Sequence, residues 1–321
     1  MTESIGSIAL TDRSGDRSGS LAWGRRYLMV DPAHFRIDYA INPFMDTAVQ
    51  PDPVRARQQW ETLRATLERC GAEVEVLAGR ADSPDMVYAM NLGLALVRPD
   101  WTLDRTVLLS HMRYPQRRHE TLSARGWFER HGFAGSVLGR DGSGAHFEAG
   151  DAFGWGGELV VGYGPRTEES ALSGLAADLG VAVRGVRITH PGMYHLDLAF
   201  CPLDERRALI CPDALDPASA RMLLDLIPEP LVLTEEEALS TFCANAVVVG
   251  RTVVMPACPE RARHRLEEWG FEVVLVDVSE FHLGGGSIRC LTNPLDLTLG
   301  RDVDRVPGGR VLLAEADEPA A

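Results

Sequence analysis

The chain has 321 residues, 45% of them apolar, and a formal net charge of −14 from 46 acidic and 32 basic side chains. Every basic one is Arg, which excludes a Schiff-base lysine and a P-loop, and no basic block invites nucleic acid or an acidic membrane surface. Six scattered cysteines (Cys70, Cys201, Cys211, Cys243, Cys258, Cys290) without a CxxC pair disfavour a zinc ribbon or disulfide scaffold and suit a reducing cytoplasm; no apolar run of about 18 residues marks a membrane span.

In chain order, residues 1–20 are polar and read as a flexible tail, which leaves 21–321 for one large α/β domain. Four helical patterns then run into a glycine and an apolar, often β-branched segment. They are VRARQQWETLRATLERCG before AEVEVLAG, RHETLSARGWFERHG before FAGSVLG, TEESALSGLAADLG before VAVRGVRI, and PERARHRLEEWG before FEVVLVDV. Gly71, Gly132, Gly180 and Gly270 are the expected left-handed caps. The last gap between them is about twice its neighbour and hides a fifth unit, DPASARMLLDLIPEP followed by LVLT. Short strand pairs such as ELVVGYG and AVVVGRTVVMP lie between the units. An ordinary βα array with uneven loops fits this pattern. A radial five-fold arrangement fits better, because repeats of this period often build propellers, whose loops gather around one channel.

Four places carry chemistry-bearing residues. HFEAGD holds Glu148 and Asp151; MYHLDLAFCPLD holds His195 and Asp197, expected on one strand face; PDMVYAMNLGLAL holds Asn91; HLGGGSIRCLTN brings Cys290 after three glycines. A thiolate nucleophile needs an acid–base partner, which a carboxylate-oriented histidine supplies. Spare carboxylates suit a guanidinium, which is planar and pairs bidentately. Each piece also fits a plain reading: a polar turn, an exposed pair, a bend satisfied by Asn91, or a buried structural cysteine. No HExxH motif or second histidine cluster supports a metal.

Taken together and in this order, PDMVYAMN, FEAGD, YHLD and GGGSIRC resemble the pentein guanidino-group-modifying enzymes: arginine deiminases, arginine dihydrolases, dimethylarginine dimethylaminohydrolases and amidinotransferases. The resemblance runs from YLMVDPAHFRIDYAINPFMD to GGGSIRCLTNPL, nearly the whole chain after the tail. It implies a five-bladed α/β propeller and a cysteine-dependent hydrolase acting at the guanidino C–N bond of arginine or an N-methylated arginine, giving ornithine or citrulline with ammonia or a methylamine. In those terms Cys290 resembles the nucleophile and His195 the general acid–base. Glu148 is similar to the carboxylate that binds guanidinium beside the histidine, Asp151 to the acid that orients it, and Asp197 to the second guanidinium-binding acid. Arg166, with Arg113 as a second candidate, matches the arginine that holds the substrate α-carboxylate. Asn91, where deiminases usually have Asp, and Asn42 in INPFMD resemble the dihydrolases. The resemblance implies no cofactor and no metal, a small-molecule guanidino substrate and a possible homodimer. An amidinotransferase using the same intermediate, and a non-catalytic binding module on the same fold, are the alternatives.

Overall fold

One pattern recurs five times: a first strand, a central strand antiparallel to it, a helix, and a third strand parallel to the central one. The computed structural model describes residues 20–98, 105–138 and 144–314; residues 1–19 of the predicted tail lie outside them. The first unit opens on its central strand, β1 (Arg26–Val30), followed by α1 (Pro53–Arg69) and β2 (Glu73–Leu77). The second comprises β3 (Gly93–Val97), β4 (Arg105–Leu109), α2 (Arg118–Arg130) and β5 (Phe133–Val137). The third is β6 (Ala152–Trp155), β7 (Glu158–Tyr163), α3 (Ser170–Leu179) and β8 (Ala182–Arg187). The fourth is β9 (Phe200–Pro202), β10 (Arg207–Ile210), α4 (Pro217–Leu226) and β11 (Glu229–Val232). A short α5 (Glu235–Thr241) leads to the fifth: β12 (Val247–Val249), β13 (Thr252–Met255), α6 (Glu260–Glu268) and β14 (Glu272–Leu275). After α7 (Ser279–His282), β15 (Asn293–Pro294) pairs antiparallel with β1 and supplies the strand that the first unit lacks. A last strand, β16 (Arg310–Leu313), lies parallel to β8.

Local chemistry explains the boundaries. Asp52 and Asp216 cap α1 and α4 through two backbone N–H groups each, with Pro at the first helical position. Gly71, Gly132, Gly180 and Gly270 all take positive φ, as the sequence predicts for caps that a β-carbon would strain. The central strands are buried on two faces where units meet. Along β1, Tyr27 and Met29 pack with Trp60, Leu63 and Leu67 of α1 and with valines of the fifth unit. Leu28 and Val30 point the other way, onto Val107, Leu109, Trp127 and Phe128 of the second unit. The fold is therefore α/β, and no helix among the described residues is long and apolar enough to cross a membrane.

The closing strand is locked by one side chain. Buried Asn293 donates from Nδ2 to the carbonyls of Ala89 at 3.0 Å and Gly93 at 2.8 Å, so the end of the chain holds the turn that carries Asn91. Asn293→Ala leaves those carbonyls without their donor, and we expect a loss of roughly 1–3 kcal/mol in denaturant unfolding.

Candidate functional site

The sequence-predicted residues come from equivalent places, the segments just ahead of the first strand of each unit. Asn91 sits in the 3-10 turn Ala89–Leu92 before β3, and Glu148 and Asp151 bracket the turn Ala149–Asp151 before β6. His195 and Asp197 belong to the turn Leu196–Leu198 before β9, and Cys290 to a helical turn before β15 closed by the bond from Leu291 N–H to Ser287 O. Neither His195, Asp197 nor Cys290 is on a strand. His195 and Asp197 still reach the same spot, because a 3-10 turn, and not the period-two alternation expected from sequence, presents them.

Glu148 is fully buried and is the most heavily bonded acid of the group. Its Oε2 lies 2.8 Å from His195 Nε2 and accepts from Arg166 NH1 at 3.2 Å, and its Oε1 accepts the backbone N–H of Arg113 at 3.0 Å. Burial by itself would raise this carboxyl, but Arg166 and His195 hold it well below the usual carboxylate range. Arg166 is clamped in turn. Its guanidinium lies between the rings of Tyr114 and Tyr194, 4.7 and 4.5 Å from their centroids, and NH2 donates to Ile41 O at 3.0 Å.

Asp151 and Asp197 behave oppositely. Burial pushes both up to about 7, with His195 drawing Asp151 back and Arg289 drawing Asp197 back. Asp151 Oδ1 accepts the Leu196 backbone N–H at 2.9 Å, so it fixes the main chain beside His195 and not the imidazole, which Glu148 holds. Asp197 Oδ2 lies 3.5 Å from Cys290 Sγ, while its Oδ1 is buried without a hydrogen-bond partner. Burial, and then the Asp197 carboxylate, push the Cys290 thiol well above its ordinary value. Asn245 joins the two turns: Nδ2 donates to Cys290 Sγ at 3.2 Å and to Asp197 O at 3.0 Å, and Oδ1 accepts Cys290 N–H at 3.2 Å.

Gly150 explains the glycine of FEAGD. A β-carbon there would stand 2.9 Å from Asn91 Oδ1, 3.2 Å from Asp197 Oδ2 and 3.4 Å from His195 Cγ, so only a glycine lets the segment carrying Glu148 approach them. The Gly150 N–H donates to Asn91 Oδ1 at 2.9 Å.

A narrow cavity of about 10 Å³, the size of one water position, is lined by Asn42, Asn91, Arg166, His195 and Cys290. Asn42 stitches its rim: Nδ2 donates to Gly284 O at 3.0 Å and Oδ1 accepts Phe44 N–H at 3.0 Å. Gly285, with φ of 84°, passes so close that a β-carbon would meet the Asn42 amide at 2.6 Å. The three-glycine stretch thus seals the cavity wall against Asn42 before the Cys290 turn.

Arg113 does not face the cavity. Its side chain is 45% exposed and turns to Glu168, and only its main chain serves Glu148. Arg117, four residues on, lines the cavity instead, gripped by Glu120 through Nε at 2.9 Å and NH2 at 2.8 Å. HMRYPQRR offers three arginines to a sequence reading, and only the backing Glu120 at i+3 distinguishes Arg117. Asp85 also lines the cavity, with both carboxylate oxygens buried and unpartnered; burial raises it, against the pull of Arg117. Its signal was an acid in the apolar run PDMVYAMN. Among the described residues no group of three His, Cys, Asp or Glu is placed to hold a metal.

Residues 31–297 match the family described as N,N-dimethylarginine dimethylhydrolase, eukaryotic. The chain is 34% identical over 268 residues to the N(G),N(G)-dimethylarginine dimethylaminohydrolase of Mycobacterium tuberculosis, covering 84% of this chain and 85% of that protein. It is also 34% identical over 272 residues to the bifunctional arginine dihydrolase/ornithine cyclodeaminase ArgZ of Synechocystis, covering 83% of this chain but only 37% of that protein. A solved structure of the ArgZ N-terminal domain, described as an arginine dihydrolase from Cyanobacteria and bound to substrate, superposes with a TM-score of 0.78 at 32% identity, over 85% of this chain and 98% of that one.

The raised acid Asp197 makes stability depend on pH in a defined direction. Between its ordinary value near 4 and its folded value of about 7, the folded chain holds a proton that the unfolded chain has lost, so this residue makes stability fall as pH rises across that window. Asn has no such proton. Asp197→Asn should gain stability relative to the native protein from about pH 4 to pH 7, with the difference constant above, as read by urea unfolding at a series of pH values.

Proposed function

The chain belongs to the N,N-dimethylarginine dimethylhydrolase family, one of the guanidino-group-modifying hydrolases, and from that membership we propose that it hydrolyses the guanidino C–N bond of free arginine through a covalent amidino thioether on Cys290. The observation that carries the reading is the meeting of a buried thiol and a carboxylate-held imidazole at one small cavity, with a second carboxylate against the sulfur: Cys290 Sγ 3.5 Å from Asp197, and His195 2.8 Å from Glu148. On this reading the five units are five blades around one channel, with the cavity at its mouth.

In the empty enzyme the thiol keeps its proton, because burial and Asp197 oppose the thiolate. A guanidinium changes this balance. It pairs with Asp197 and Glu148, brings a positive charge beside the sulfur, and favours the thiolate, with the thiol proton passing to His195. Sγ then attacks the guanidino carbon. His195, positioned by Glu148, gives its proton to the departing nitrogen, and ammonia leaves as the C–N bond breaks. Water next adds to the same carbon with His195 as base, the C–S bond breaks, and citrulline and the thiol are restored. A second passage with the ureido group as substrate yields ornithine, so that arginine and two waters become ornithine, two ammonia and carbon dioxide. Arg166 and Arg117 are the cations available to the substrate α-carboxylate, and Asp85 to its ammonium. The cavity holds about one water, so the Asn42–Gly284 link must part for arginine to bind.

Free arginine is preferred to dimethylarginine because of Asp197 Oδ1, buried and awaiting a donor. A dimethylated nitrogen has no N–H to offer, and leaving such an acceptor unpaired costs roughly 1–3 kcal/mol. Asn91 agrees with it: with Oδ1 taken by Gly150, its NH₂ group is the end left to a substrate, and a donor suits the carbonyl of a ureido intermediate. The similarity to the M. tuberculosis enzyme favours the second reading, dimethylarginine to citrulline and dimethylamine.

Proton NMR on the purified protein with arginine, and separately with asymmetric dimethylarginine, decides between them. Ornithine and ammonia from arginine are expected, with at least about 10³-fold loss in Cys290→Ala. Dimethylamine from the methylated substrate, without turnover of arginine, establishes the second reading. Turnover little changed in Cys290→Ala overturns the covalent mechanism, and dependence of turnover on an added amine moves the reading to an amidinotransferase.

A further inference from the structure

Four of the five units bring an ionisable or amide side chain to the site from the segment ahead of their first strand: Asn91, His195 and Cys290 line the cavity, and Glu148, Asp151 and Asp197 lie beside them. The fifth unit has the same segment, Phe242–Ala246 before β12, and the residue in the matching place is Asn245. It is fully buried. Its surroundings are built to present it. Phe242, whose carbonyl accepts the Asn245 N–H at 2.9 Å, is the one non-glycine residue with positive φ, 51°, among those described. Backbone held in that region by a bulky residue marks a segment whose geometry is imposed by its surroundings. The Phe242 ring is stacked on His282 at 4.3 Å and meets Phe44 at 5.0 Å, which holds it there.

The amide of Asn245 has a defined orientation. Oδ1 accepts from Cys290 N–H, and Nδ2 faces two acceptors, the Asp197 carbonyl and the Cys290 sulfur. The reversed amide would oppose oxygen to oxygen and N–H to N–H. The sulfur therefore has a thiol proton directed at Asp197 Oδ2 and an N–H directed at it from Asn245.

We propose that Asn245 is a catalytic residue, the hydrogen-bond donor that stabilises negative charge on Cys290 Sγ each time the sulfur carries it. This deepens the proposed function and rests on it. The charge appears twice. It is present on the sulfur before the S–C bond forms and the C–N bond breaks, with the leaving nitrogen taking its proton from His195. It returns when water has added and the C–S bond breaks, with the electron pair going back to sulfur. In between, the thioether sulfur is neutral and the donor has little to stabilise, so the interaction favours the two charged passages over the intermediate. Asp197 leaves the sulfur when it turns to the substrate cation, and the Asn245 N–H stays.

The test reads the sulfur directly. Alkylation of Cys290 by iodoacetamide at about pH 8, followed by mass spectrometry of the peptide that contains it, reports how much thiolate is present without any substrate. Asn245→Ala should slow this alkylation about tenfold, the equivalent of one unit in the thiol's acidity, and lower kcat about 10- to 100-fold with KM changed by less than about threefold. Asn245→Asp keeps the acceptor for Cys290 N–H and nearly the same shape but replaces the donor with a charge, so it should slow alkylation further; it supplies the reading if the alanine variant does not fold, as judged by circular dichroism. Alkylation at the native rate in a folded variant overturns the inference, whatever the substrate. Turnover retained in Cys290→Ala overturns instead the function on which it rests, and leaves the alkylation result to stand on its own.

Discussion

A single ionised carboxylate, buried to zero exposure, organises this molecule's interior. Glu148 has to be charged to hold His195 and Arg166, and it stays charged because those two groups and the Arg113 N–H surround it. An isolated carboxylate so far from water would take up a proton instead. The partners come from three different stretches of chain, and two are secured from behind: Arg166 by two tyrosine rings and Ile41 O, His195 by Asp151 through its neighbour's N–H. Removing Arg166 or His195 leaves that buried charge undercompensated, a costly defect in a core.

Around that fixed charge the fold sets carboxylates of the same chemical type to different protonation. Glu148 lies well below the usual range, while Asp151 and Asp197 rise to about 7. The difference is one of partners and not of depth, since all three are fully buried. Glu148 faces cations. Asp197 faces a thiol and an empty oxygen position, and Asp151 faces main chain. On the proposed mechanism that separation gives the acids separate tasks: one permanently anionic to hold the imidazole, one whose charge is completed by the substrate.

Close approach is the second constraint. The site segments pack so tightly that glycines decide whether they fit, among them Gly150 against Asn91, Asp197 and His195, Gly285 against Asn42, and Gly286 against Tyr88 and Cys290. The result is a cavity of about one water's volume, in which few of the polar groups have solvent to turn to. That is why the amides of Asn42 and Asn245 are committed at both ends to backbone and sulfur.

The sequence by itself determined the five helix-then-strand units, because helical periodicity, a capping glycine and a β-branched run are local signals, and the helices α1, α2, α3, α4 and α6 stand where those signals lie. Residues of the candidate site were legible too: Cys290, His195, Asn91, Asn42 and Arg166 were motif residues and line one cavity, with Glu148 against His195 and Asp197 against Cys290. The tertiary structure alone decided how they are presented and who supports them. His195, Asp197 and Cys290 come on turns and not strands, Arg117 and not Arg113 faces the cavity, and Asp85 and Asn245 join the site. The reason is physical. Hydrophobic period and capping act over a few residues along the chain, but which of three arginines points inward, and which asparagine reaches a sulfur 45 residues away, depends on packing between units that share no local sequence.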